Sequence, residues 1–155
     1  MDATNAPSHA GAAADETRSR WLSIVWAIAR LAIGWIFLWA FLDKLFGLGY
    51  STPSEGAWTD GGSPTEGYLT NVPEGPFQSF YNGIAGDAWA DWAFMLGLAG
   101  IGIGLILGVL YRIATVGAAV LLTLMWTVVL PPTMNPLIDD YLVQAVVLIG
   151  LALAA

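Results

Sequence analysis

The sequence has no cysteine, one histidine and little charge. Without Cys there are no disulfides, thiolate metal sites, iron–sulfur clusters or dithiol redox chemistry. The single histidine, His9, lies in a polar N-terminal stretch, which excludes a haem held by membrane histidines. Charged residues make up 11% of the chain, against about 25% in soluble domains. Basic residues are the scarcer sign, and the net charge is −7. That balance argues against nucleic-acid binding and against adhesion to anionic lipid through a broad basic patch.

What fills the sequence is apolar. Hydrophobic residues account for 57% of the chain, and the mean hydropathy is +0.66. The apolar runs recur to the last residue, so a signal peptide does not account for them. Four of them reach the roughly 17–25 residues that a bilayer crossing requires. They fall at about 21–42, 91–110, 113–130 and 136–155. Residues 1–20 read as a disordered cytoplasmic tail. The stretch 92–130 is almost continuously apolar. As one helix it would be about 58 Å long, twice the hydrocarbon thickness, so it must fold back. Tyr111-Arg112, just after Gly108, marks the expected hairpin. Pro131-Pro132 stops the third span. Asn135 and Pro136 read as N-cap and first helical residue of the fourth. The expected fold is an all-α integral membrane bundle of four transmembrane helices. A long extracytoplasmic cap, 43–90, joins helices 1 and 2.

Charge placement sets the orientation. Arg18, Arg20 and Arg112 fall on one side and Lys44 alone on the other, so both termini are expected in the cytoplasm of a plasma-membrane protein. Nine acids and one lysine leave −8 on the outer side. In the cap, Gly61-Gly62-Ser63-Pro64 reads as a turn. Phe77, Phe80, Tyr81 and Ile84 have the spacing of one apolar helical face. Ala155 closes an apolar run with no charged flank, so a natural C-terminal tail is expected beyond it.

Within the spans, Gly100, Gly104 and Gly108, with Ala114 and Ala118, have the four-residue spacing that lets helices approach closely. Trp26, Trp35, Trp39, Trp92 and Trp126 lie toward span ends, where indoles anchor; a flat ligand could also use some of them. Arg30 is the only charge deep in a span. Its face also carries Ser23, Ala27, Gly34 and Phe41, which turns it toward other helices. A central Arg costs about 2.5–3.5 kcal/mol on insertion scales, and no span carboxylate can offset this. Three partners remain open: helix-end carbonyls and hydroxyls, a lipid phosphate reached by snorkelling, or a bound ligand with anionic or carbonyl oxygens, such as a quinone. Arg30, Trp35, Trp39 and Trp126 are the candidate ligand-binding residues. A second, outer polar cluster comprises Asp43, Lys44, Asn135, Asp139, Asp140 and Tyr141. A helix-end ion pair between Lys44 and one of the acids is the expected arrangement. Clustered oxygens could also hold Ca²⁺, but the EF-hand spacing is absent and no metal is expected.

Several motifs combine into a resemblance. Arg30-Leu31-Ala32-Ile33-Gly34-Trp35 and Phe41-Leu42-Asp43-Lys44-Leu45-Phe46-Gly47-Leu48-Gly49 resemble the first span of DoxX-family membrane proteins. Gly61-Gly62-Ser63-Pro64-Thr65-x-Gly67, Asp91-Trp92 to Gly97, and Met125-Trp126 ahead of Pro131-Pro132 and Asn135-Pro136-x-x-Asp139-Asp140 are similar to that family as well. The resemblance implies a four-helix membrane bundle. It also implies a role near that of DoxD, the membrane subunit of thiosulfate:quinone oxidoreductase, or of DoxX proteins linked to thiol oxidative stress. Relatives often carry His where this chain has Tyr141. Tyr titrates near pH 10 and His near 6.5, so proton transfer at that place does not carry over directly.

Two functions are therefore expected to compete. One is a component of a quinone-linked oxidoreductase, using a membrane quinone and no intrinsic cofactor. The other is a non-catalytic accessory or assembly subunit among other protein subunits of a larger membrane complex. A loop at −8 repels an anionic donor, and the absence of a built-in redox group fits the second reading. A channel has little to line it: Thr115, Thr123, Thr127 and Gln144 are the clear polar candidates.

Overall fold

A computed structural model describes residues 9–133 and 135–154. Among these the regular structure is all helical: α1 (His9–Phe46), α2 (Glu66–Leu69), α3 (Gln78–Ile84), α4 (Ala88–Leu107), α5 (Tyr111–Val128) and α6 (Asp140–Ala154). Two single 3₁₀ turns, Ser54–Gly56 and Trp58–Asp60, follow α1. Three helical segments are long and apolar enough to cross a membrane: Ala13–Phe46, Ala88–Leu107 and Tyr111–Val128. The apolar part of α6, Asp140–Leu153, is shorter.

The helix boundaries follow local chemistry, and some depart from expectation. α1 already includes His9–Arg20, where a disordered tail was expected; residues 1–8 lie outside the described residues. The run Ala10 to Ala14 favours helix, and no Gly-Pro break separates it from Trp21. α1 ends at Gly47, whose φ of 62° suits a residue without Cβ. The Gly47 N–H donates to the Asp43 carbonyl at 2.8 Å. The hairpin between α4 and α5 turns at Gly108 (φ 70°) and Leu110 (φ 50°), just before Tyr111-Arg112. The fourth helix starts later than the span expected from residue 136. Asn135 Oδ1 instead accepts from the Leu137 and Ile138 N–H groups, folding a local turn. Asp139 is the N-cap: its Oδ1 accepts from Leu142 N–H at 3.0 Å, three residues on, as a capping carboxylate should.

The helices pack in chain order, α1 on α4, α4 on α5 and α5 on α6. Small residues let backbones meet, partly along the expected ladder and partly off it. A Cβ at Gly100 would meet nothing within 4 Å. A Cβ at Gly102, off that register, would lie 2.7 Å from the Leu38 backbone nitrogen. Gly34 answers from α1, 3.0 Å from Leu105 and Ile106 side chains. Gly104 faces Ala114 at 2.8 Å. The core between these helices is aliphatic with one Phe and one Met: Phe37, Met95, Leu98, Leu105, Leu122 and Leu148 are all buried.

The long connection between α1 and α4 folds onto one end of this bundle. A Cβ at Gly75 would overlap the Leu130 carbonyl oxygen beyond α5. Thr59 donates to the Leu45 carbonyl at 3.0 Å. The turn at Gly61-Gly62 forms, with Gly61 at φ 90° and Gly62 N–H bonded to Ala57 O. The helix expected around Phe77 to Ile84 forms as α3, but its face is split. Tyr81 is buried, whereas Phe77 and Phe80 are exposed.

Candidate functional site

Arg30 faces the other helices, as its small-residue face required. It lies beside the α4–α5 turn, however, and not at mid-height. The contacts of Gly102 with Leu38, Gly34 with Leu105 and Gly108 with Arg30 set an antiparallel register, which puts Arg30 level with Gly108. Its guanidinium carbon lies 6.0 Å from the centre of the Tyr111 ring, within cation–π range. The Tyr111 hydroxyl is engaged elsewhere, donating to the Leu151 carbonyl at 2.7 Å. Arg30 Nε is buried and without a hydrogen-bond partner among the described residues.

The other residues of the expected ligand set do not join it. Trp35 is half exposed and stacks at a tilt on Trp39, 5.7 Å between centroids. Trp39 in turn meets Tyr50 edge-on at 5.1 Å. This ladder lines an outward groove with Asp43 and Ser51. Trp126 donates its Nε1–H to the Leu137 carbonyl at 3.0 Å, bridging α5 to the segment before α6. Neither Arg30 nor Trp126 is among the residues that line the Trp35–Trp39 groove.

The outer polar residues also divide. Asp43 is 1% exposed. It accepts from Tyr50 N–H at 3.1 Å, Ser51 N–H at 2.9 Å and Ser51 Oγ at 2.6 Å. It is the clasp that holds the start of the connection to α1. Lys44 makes no ion pair among the described residues; its Nζ lies 5.9 Å from the Phe94 ring centre. The expected Lys44 pair with Asp139 or Asp140 is not formed: the Lys44 side chain lies toward α4, at Phe94. Asp139 is used as a cap. Asp139, Asp140 and Tyr141 line a separate cleft with Pro73, Pro132 and Val143. Among the described residues, no three His, Cys, Asp or Glu side chains converge as metal ligands would.

Asp91 is the functional-looking carboxylate that sequence reasoning passed over as a helix start. It is buried at 7% exposure and accepts from Ser63 Oγ at 2.8 Å, Thr65 N–H at 3.0 Å and Thr65 Oγ1 at 2.6 Å. It does for the middle of the connection what Asp43 does for its start. The Ser63-Pro64-Thr65 turn was the available signal: hydroxyls flanking a Pro need an acceptor when buried.

Between the connection and α4–α5 lies a cavity of about 330 Å³. Tyr68, Phe80, Tyr81, Trp89, Phe94 and Leu121 are among its lining residues, and that lining is almost wholly apolar. Tyr81 closes one side, its hydroxyl meeting Thr127 Oγ1 and the Leu124 carbonyl. The Tyr68 hydroxyl is enclosed and makes no hydrogen bond of normal geometry. Burial chiefly, and then the nearby Tyr141 hydroxyl, raise its pKa above the ordinary 10.0. It therefore stays protonated. Tyr81 was placed on an apolar helical face by its spacing, but Tyr68 was missed from the sequence, because it follows a Gly- and Pro-rich turn with no apolar periodicity of its own. The threonines considered for a polar path are spent locally: Thr115, Thr123 and Thr127 each donate to a carbonyl three or four residues back.

A family model described as DoxX matches residues 25–131. This range holds α1 from Val25, the whole connection, α4 and α5. No curated protein and no solved structure matches the chain.

Proposed function

Because the chain belongs to the DoxX family, we propose that it is the membrane component of a quinone-linked oxidoreductase system for sulfur-compound or thiol-stress chemistry. The chamber beneath the connection carries this reading. It is at the small end of ligand sites, aromatic, and nearly free of polar surface, as a site for a flat apolar ring should be. The buried Tyr68 hydroxyl stands behind that lining as a reserve donor for a carbonyl oxygen. In this reading α6 completes a four-span plasma-membrane bundle with both termini in the cytoplasm. The connection is its outer cap. The chain holds the quinone, and a partner subunit brings the redox group that a sequence without Cys lacks.

The test is quinone binding to the full chain in nanodiscs, followed by Trp fluorescence, since Trp89 lines the chamber. A short-chain quinone analogue should quench saturably, and Ala93→Phe, which fills the chamber, should weaken the binding severalfold. Quenching that only tracks partition into lipid, unchanged by Ala93→Phe, refutes the reading.

The accessory-subunit reading draws on the same absence of redox side chains. It expects stable co-purification with a cofactor-bearing complex after mild solubilisation, with no quinone affinity of its own.

A further inference from the structure

Arg30 is a cation set among the helices, and among the described residues the protein supplies it no counter-charge. Among the described residues it has neither ion pair nor hydrogen bond, and its Nε is buried without a partner. A guanidinium presents its donors in a planar fork matched to phosphate or carboxylate oxygens. Leaving such donors unmet at the edge of hydrocarbon is costly.

A second feature stands at the same place. The Arg30 guanidinium lies over Tyr111, the first residue of α5. The first-turn N–H groups of a helix have no intrahelical acceptor. Leu110, the N-cap of α5, provides no side-chain acceptor for them. There is no acid in that first turn, and the next residue is Arg112. The α5 dipole, Arg30 and Arg112 therefore present positive charge together. Gly108 makes room for the guanidinium at this turn: a Cβ there would lie 2.8 Å from Arg30 Nη1. Around this spot Val109, Leu110 and Ile113 are exposed apolar residues.

We propose that this corner binds the phosphate group of an anionic membrane lipid. Arg30 grips the phosphate oxygens, the start of α5 faces them, and Val109, Leu110 and Ile113 lie along the acyl chains. A free phosphate shares the head-group chemistry but gains nothing from the apolar surround. The net −7 of the chain does not oppose this, because the acids belong to other parts of the molecule, nine of them between Asp43 and Asp140. The site is one corner, not a basic patch.

The experiment uses the full chain in mild detergent. Phosphatidylglycerol, phosphatidylcholine of the same acyl chains and inorganic phosphate are titrated separately, and binding is read by native mass spectrometry and by thermal shift. One surface basic residue is worth about 1 kcal/mol toward an anionic lipid, so phosphatidylglycerol should be retained about fivefold over phosphatidylcholine. Arg30→Met should abolish the preference and Arg30→Lys should keep part of it. Lys44→Met, at the far end of the bundle, should leave it intact. If Arg30→Met does not fold, Arg112→Gln should lower the preference, and the unmutated chain must still show it. Equal retention of the two lipids, or a preference unchanged in Arg30→Met, overturns the proposal. An equal thermal shift from inorganic phosphate alone overturns the lipid assignment.

Discussion

The two ends of the bundle treat charge in opposite ways. Where α1 finishes and α4 begins, each buried carboxylate is surrounded by donors from its own chain. Asp43 takes three hydrogen bonds from Tyr50 and Ser51, and Asp91 takes three from Ser63 and Thr65. Where α4 turns into α5, Arg30 has an aromatic face beside it and no acceptor. The first end uses charge to fasten a long connection to the helices. The second leaves charge for something from outside. A buried ion that is fully hydrogen-bonded is a structural device; a half-buried one with an enclosed, unpartnered nitrogen points to a missing component.

Substitutions should separate the two ends, with the largest effect at the fastened one. Asp91→Ala orphans a buried N–H and two hydroxyls, and should cost ~3 kcal/mol in unfolding of the detergent-solubilised chain. Gly75→Ala comes next. Its Cβ meets a backbone carbonyl that cannot rotate away, so about 2 kcal/mol is expected, with loosening of the connection seen by limited proteolysis. At the open end, Gly108→Ala meets only the far end of the flexible Arg30 side chain. The left-handed backbone then dominates, at ~1 kcal/mol. If Gly108→Ala proved costlier than Gly75→Ala, the contrast between the ends would fail. Tyr68→Phe sharpens it at smallest amplitude. Removing an unpaired buried hydroxyl should stabilise by up to ~1 kcal/mol while weakening quinone binding if that hydroxyl is the donor.

Tyr68 also sets a pH dependence. Its folded pKa lies above the ordinary 10.0, so the neutral form is the one that fits the fold. Its contribution is fully present below pH 10.0 and is lost as the pH rises beyond it. Alkaline titration of stability should therefore show a decline that Tyr68→Phe removes.

The helices were legible because apolar runs of bilayer length dominate the sequence, and the family followed from motifs spread along it. The side of α1 that Arg30 faces was legible from Gly34 on the same stripe. Its height was not, because height depends on which residue of α4 pairs with it, and Gly102 rather than Gly100 fixes that register. The outer cluster was misjudged for a related reason. Asp43, Asp139 and Asp140 were expected on one side of the membrane, but nearness along the normal says nothing about nearness within the plane. Asp43 found its donors seven and eight residues on; Asp139 found one three residues on. The chamber depends on long-range approach of Tyr68 and Tyr81 to α4 and α5, which no local pattern in that stretch encodes.

The length of α1 has a mechanical corollary. Its hydrogen-bonded backbone runs unbroken from His9 to Phe46, and side chains between Ala13 and Val25 stand exposed. From Gly34, where α1 rests on α4, to His9 is about 38 Å at 1.5 Å per residue. Such a rod is a lever with its fulcrum beside Arg30. A tilt of a few degrees at that bearing sweeps the far tip through several ångströms, and a grip on the tip would be felt as torque where the guanidinium sits.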